Sequence, residues 1–266
     1  MTNVVQLGPL MFAADRLLAV ALLLAFTYSV GKIGERTGRD TAKAVLWALV
    51  AGILGARLAY VGRHLDAYSQ DWWSVLALWQ GGFSAGAGIA AAAVALLVIL
   101  GLNRTSGFSV AAIAVLTVAW AGGTALLQPS PRALPEMPVL ATLDGGTIEP
   151  NSLAGQPYVV NLWATWCPPC RRELPMLAEV ASGSDIPILL VNQAEPAEQV
   201  ERYLEGAGIG SAAVAIDEHG SLMQLLEGGA LPTTLFIDDQ GQIVATHLGE
   251  ISRAALLDQI AQLQKE

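Results

Sequence analysis

Residues 166 to 170 read Trp-Cys-Pro-Pro-Cys, and Cys167 and Cys170 are the only cysteines in a chain of 266 residues. Two thiols three positions apart can be a redox couple, half of a metal site, or the ends of a structural disulfide. A closed zinc site wants four ligands. Beyond the pair the chain offers only His64, His219 and His247, with no paired spacing among them. A disulfide closing a two-residue loop gains little chain entropy. Redox exchange asks for something the local sequence supplies, a helix that starts at the first cysteine. Unpaired N–H groups and the helix dipole there stabilise a thiolate. Cys167 is therefore expected as the exposed nucleophile, and Cys170, one turn inward, as the thiol that resolves a mixed disulfide. Pro168 and Pro169 lack N–H groups and fix φ, which suits a first helical turn. This chemistry needs no cofactor beyond the Cys167–Cys170 disulfide, and no metal.

The elements that must position this pair are legible around it. YVVNLWA (158–164) is an apolar run bounded by turn residues, hence a buried strand, and PPCRRELPMLAEVA (168–181) has helical spacing. PILLVNQ (187–193) reads as a second buried strand, AEQVERYLEGAG (197–208) as a helix ending in glycine, and 212–217 and 233–238 as strands. DDQG is a turn, QIVATHL a strand, and a closing amphipathic helix begins at Ser252. The pattern predicts an α/β domain with a mixed central sheet over residues 138–266. Trp166 is expected to cover the disulfide and meet substrates, Trp163 to be core or site. Glu195, Glu198, Glu201 and Glu205 read as a solvated helical face.

The rest of the chain is of another kind. Apolar residues make up 53% and charged residues only 14%, and the mean hydropathy is +0.49, too apolar for an ordinary soluble protein. Residues 1–137 carry nine Lys/Arg against six Asp/Glu, while 138–266 carry five against seventeen. An acidic module on an apolar, mildly basic anchor fits these halves. A surface of that sign repels phosphate backbones and argues against nucleic acid. Four windows of about 20 apolar residues predict an all-α membrane domain over 1–127: roughly 8–31, 44–62, 83–102 and 108–127. Lys32, Arg36, Arg39 and Lys43 between the first two place that loop in the cytoplasm and both termini outside. Arg57 lies inside the second window and is expected to snorkel outward. The proline-rich 128–137 reads as an extended linker.

Two resemblances add to this. VVNLWATWCPPCRRELPML resembles the TlpA/ResA-like branch of the thioredoxin family of thiol:disulfide oxidoreductases, and the likeness runs over nearly all of 138–266. It implies that Pro232 in LPTT is the cis-proline beside the disulfide, with the backbone of Leu231 pairing with an extended substrate. It implies also that Glu173 is the active-site glutamate, and that Asn161 stands where ordinary thioredoxins keep a buried aspartate. In the first 100 residues QLGPL (6–10), GARLAYV (55–61) and LWQGGFSAGAG (78–88) resemble prolipoprotein diacylglyceryl transferases. That family carries a histidine shortly after WQGG, where this chain has Gly86, so the resemblance implies a degenerate membrane scaffold rather than acyl-glyceryl transfer.

The expected protein is a multi-pass inner-membrane thiol:disulfide oxidoreductase with its thioredoxin-like domain in the periplasm. The TlpA/ResA resemblance points to a reductase of exported protein disulfides, including cytochrome apoproteins. Because no span holds a cysteine, electrons would come from a separate transmembrane thiol relay of the DsbD/CcdA kind. The alternatives are a periplasmic thiol oxidase or isomerase using the same cysteines, or a lipid-modifying enzyme with a redox appendage.

Overall fold

The computed structural model describes residues 4–7, 10–127, 130–226 and 230–265, and the chain divides into two compact units. In the first, Val4–Leu7 (β1) and Leu10–Ala13 (β2) pair antiparallel, Val4 opposite Ala13. Helices follow at Ala14–Thr37 (α1), Ala42–Arg63 (α2), Leu65–Gln70 (α3), Ala85–Leu100 (α4) and Arg104–Leu127 (α5). Proline-free runs of Ala, Leu and Val let these helices form. Small residues let them approach. A Cβ on Gly55 would lie 2.7 Å from the Ala91 Cβ, and one on Gly88 would lie 2.8 Å from the Gly52 carbonyl oxygen. The α2–α4 seam is thus backbone against backbone, as suits association in lipid.

Among the described residues three helices, Arg16–Thr37, Ala42–Arg63 and Arg104–Leu127, are long and apolar enough to cross a membrane. The third expected window comes out shorter. Ser84 and Gly101, the latter at φ 72°, bound α4 at 16 residues, about 24 Å of helix against a hydrocarbon core of roughly 30 Å. The first window shifts too. The β1–β2 pairing holds the chain until Ala14, and α1 then runs to Thr37, so Lys32 and Arg36 ride on its last turns instead of a loop.

Arg57 does not snorkel. It is 3% exposed, and its guanidinium donates to the carbonyls of Val75 and Gly82, both at 3.0 Å, and of Ser74 and Ala77. The rings of Tyr68 and Phe83 lie 5.3 and 5.6 Å from its Cζ. A fork of five donors can satisfy several diverging carbonyls from one point, and a buried charge needs such partners. Arg57 therefore holds the α3–α4 connection in shape.

The second unit begins with Arg132–Ala133 (β3), Leu140–Thr142 (β4), Thr147–Ile148 (β5), Tyr158–Trp163 (β6) and Pro168–Gly183 (α6). It continues with Ile188–Gln193 (β7), Ala197–Ala207 (α7), Val214–Asp217 (β8), Ser221–Leu225 (α8), Thr233–Ile237 (β9), Gln242–Leu248 (β10) and Arg253–Leu263 (α9). Trp79–Gly81 cluster with this unit. The sheet order is β3-β10-β9-β6-β7-β8-β4-β5. β6, β7 and β8 are parallel; every other neighbour is antiparallel. The result is a thioredoxin-like mixed sheet, with β6, which leads to the cysteines, near its middle.

Period-two alternation sorts β6 between two cores. Val159 and Trp163 pack on the face shared with Leu174 and Leu177 of α6 and Leu256 of α9. Tyr158, Val160 and Leu162 pack on the other, with Leu222 of α8. Residues read from the sequence as linker contribute here as well. Ala133 and Arg132 pair with Gln242 and Ile243 of β10, and Leu134 and Met137 are buried in the second core. The prolines cannot donate to a ladder, but the residues between them can, and they cover an edge that would otherwise stay open.

Candidate active site

β6 ends at Trp163, the chain turns through Ala164–Trp166, and α6 starts with Cys167 as its N-cap (φ −90°, ψ 107°) and Pro168 directly after it. The Cys167 sulfur accepts the Cys170 N–H at 3.3 Å, so it sits on one of the orphan donors of the helix N-terminus. Cys167 and Cys170 form a disulfide with Cα atoms 5.3 Å apart. Cys170 is wholly buried. Cys167, expected to be exposed, keeps only 3% exposure, because an N-cap side chain folds back over its own first turn. Trp166 is 65% exposed and outside the core, whereas Trp163 is wholly buried near Tyr203, ring centres 6.1 Å apart. Leu231 is half-buried and Pro232 buried, and the peptide bond between them is cis.

Glu173 follows Cys170 by one helical turn and points inward at 3% exposure. Its Oε1 accepts from Asn161 Nδ2 at 3.0 Å and its Oε2 from the Ile251 N–H at 2.7 Å. Burial raises its pKa to about 7, against the opposing pull of those two hydrogen bonds; Glu250 raises it further and Arg172 lowers it. Arg172 in turn donates from Nε and Nη2 to Glu250 Oε2, at 2.9 and 2.6 Å. A carboxyl that titrates near neutrality beside a dithiol can take and return a proton at physiological pH.

Glu195 corrects an expectation. Glu198, Glu201 and Glu205 are exposed, but Glu195 is 3% exposed. Its carboxylate accepts from the Thr165 N–H at 2.6 Å, from the Thr165 hydroxyl, from Asn192 Nδ2 at 2.8 Å and from Gln199 Nε2 at 2.5 Å. One buried acid therefore ties the loop before Cys167 to the end of β7 and the start of α7. The signal was available: Pro196 is the N-cap of α7, which puts Glu195 outside the helix whose exposed face it was assigned to. Among the described residues no group of three or more His, Cys, Asp and Glu side chains is placed to hold a metal ion.

Residues 129–260 match the family model for Redoxin, and residues 9–125 that for prolipoprotein diacylglyceryl transferase. Over 141 residues the chain is 36% identical to a thiol:disulfide interchange protein DsbE homolog of Paracoccus denitrificans, spanning 49% of this chain and 78% of that protein. The chain belongs to the thiol-disulfide oxidoreductases of the ResA and DsbE kind. ResA of Halalkalibacterium halodurans is 34% identical over 114 residues, 42% of this chain; the chain spans 64% of that relative's length. The crystal structure of a DsbE-type thiol:disulfide interchange protein from Chlorobium tepidum aligns over 51% of this chain and 97% of its own, with 23% identity and a TM-score of 0.45. Within the oxidoreductase, the match to Redoxin contains the cysteine pair, Glu173, Glu195 and the Leu231–Pro232 bond.

Proposed function

We propose that this oxidoreductase is a membrane-anchored reductase of disulfides in exported proteins, its sheet unit on the periplasmic side of the cytoplasmic membrane. The observation that carries the exchange chemistry is the Cys167 sulfur seated on the α6 N-terminus with buried Glu173 two turns into the same helix; the reductase direction rests on the TlpA/ResA resemblance. In the reduced protein the Cys167 thiolate attacks one sulfur of a substrate disulfide, forming a mixed disulfide and releasing the other substrate sulfur as a thiolate. Glu173 then accepts the proton of the Cys170 thiol. The Cys170 thiolate attacks Cys167 Sγ, and the second substrate sulfur leaves. Two electrons pass to the substrate, and the Cys167–Cys170 disulfide remains.

Exposed Trp166 and the backbone of Leu231 beside cis-Pro232 would hold an extended substrate chain across the sulfurs. Lys32 and Arg36 on the last turns of α1, Arg39 in the turn and Lys43 at the start of α2 favour a cytoplasmic α1–α2 turn. With only two cysteines, both in the sheet unit, the chain carries no thiol path across the bilayer; a separate transmembrane thiol relay of the DsbD/CcdA kind would return the protein to its reduced form. Exported cytochrome apoproteins are among the substrates this reading admits. The helical unit then serves as anchor, and Gly86 in place of a histidine argues against lipid transfer.

The test is a trap. Cys170→Ala should accumulate mixed disulfides through Cys167 with exported thiol proteins and with the relay, and Cys167→Ser should abolish them. An empty trap in cells expressing the protein refutes the proposal.

A further inference from the structure

Asn161 lies in the middle of β6, wholly buried, on the strand face that meets α6. Its Nδ2 donates to Glu173 Oε1 and to Thr234 Oγ1, both at 3.0 Å. Its Oδ1 has no hydrogen-bond partner. A side-chain amide carries two N–H donors at one end and two lone pairs at the other. Both neighbours of Nδ2 accept now, and both can donate once Glu173 has gained a proton, because a threonine hydroxyl turns either way. The two ends of the amide are therefore complementary to the same two neighbours in the two protonation states of Glu173.

We propose that Asn161 is a positioning residue whose amide turns over with the protonation of Glu173: Nδ2 faces Glu173 and Thr234 when the carboxylate is ionised, and Oδ1 faces them when it is protonated. Without the turn, the proton gained by Glu173 would find no acceptor in Asn161, whose facing end carries only N–H groups, and a buried donor left unpaired is costly. With it, each state keeps two hydrogen bonds to Asn161. An aspartate here would lack the donor end and could not serve the ionised form.

The other groups facing Glu173 differ in kind. Arg172 on α6 and Glu250 after β10 act on it through charge, Cys170 on α6 is in the disulfide, and the Ile251 N–H is fixed in the backbone. Asn161 is the one among them whose polarity can reverse without moving a charge. The inference rests on the reading of Glu173 as the proton carrier for Cys170, and the experiment separates the two.

In the oxidised full chain in nanodiscs, labelled with 15N-asparagine and 13C-glutamate, the Asn161 side-chain signals, assigned by their loss in Asn161→Asp, should shift with pH. Their midpoint should coincide with that of the Glu173 carboxyl carbon, and the shift should vanish in Glu173→Gln. A Glu173 that titrates while the Asn161 amide stays constant overturns the turnover and leaves the proton-carrier reading standing. A Glu173→Gln protein that resolves mixed disulfides at the wild-type rate between pH 6 and 8 overturns the proton-carrier role, whatever the amide does. In Asn161→Asp the pH midpoint of resolution should move upward by at least about one unit, roughly a tenfold change in proton affinity. An unmoved midpoint in a folded Asn161→Asp protein again refutes the positioning role.

Discussion

Replacing Glu173 by glutamine should change how stability depends on pH, by an amount the structure sets. Burial raises the Glu173 pKa from the usual 4.5 to about 7 in the folded chain, and unfolding returns it to the usual value. Below pH 4.5 both states hold the proton. Between 4.5 and 7 the native state holds a proton that the unfolded state has lost, so stability falls as pH rises through that window. Above 7 both have lost it and the contribution is gone. The gap between the two pKa values corresponds to roughly 3 kcal/mol. Glutamine does not titrate. Whatever its amide costs or gains against Asn161 and the Ile251 N–H is the same at every pH. The unfolding free energy of Glu173→Gln minus that of the wild type should therefore rise by about 3 kcal/mol between pH 4.5 and 8. For a domain of this size that is on the order of 10 °C in midpoint. Thermal unfolding of both oxidised proteins in nanodiscs across this range reads it directly. Parallel stability curves would refute the argument, because they would mean that Glu173 ionises in the fold as readily as in water.

Glu195→Ala should lower the stability of the sheet unit by about 3 kcal/mol, since it leaves the Thr165 N–H and the Asn192 amide buried without an acceptor; an unchanged thermal midpoint would show that the clasp holds nothing. Arg57→Lys should destabilise the helical unit by roughly 2–3 kcal/mol, because one ammonium cannot reproduce a fork serving the carbonyls of Ser74, Val75, Ala77 and Gly82. Thermal inactivation in nanodiscs measures it, and a lysine variant as stable as wild type would refute the structural role of Arg57.

The central elements were legible because each is written locally. The apolar run YVVNLW, bounded by turn residues, reads as a strand buried on both faces, and Pro-Pro after a cysteine suits a first helical turn, so β6, α6 and the junction between them follow from neighbours in the chain. β3, β4 and β5 were not legible. Two- and three-residue strands carry too little periodicity to register, and a proline-rich stretch looks extended whether or not a sheet edge is waiting for it. The length of α4 was likewise blurred, because apolar residues continue past Ser84 and Gly101 where the backbone stops being helical.

Glu173 and Glu195 mark the division most sharply. The sequence by itself determined that a dithiol sits at a helix start and that acids lie nearby, since covalent order and local propensity suffice for both. Which acids leave the solvent was decided by the tertiary structure alone. Asn161 and Ile251 converge on Glu173 from positions 12 and 78 residues away, and Thr165 reaches Glu195 across 30. Burial and hydrogen bonding depend on distance in space, and only the packed sheet brings those donors within 3 Å of a carboxylate.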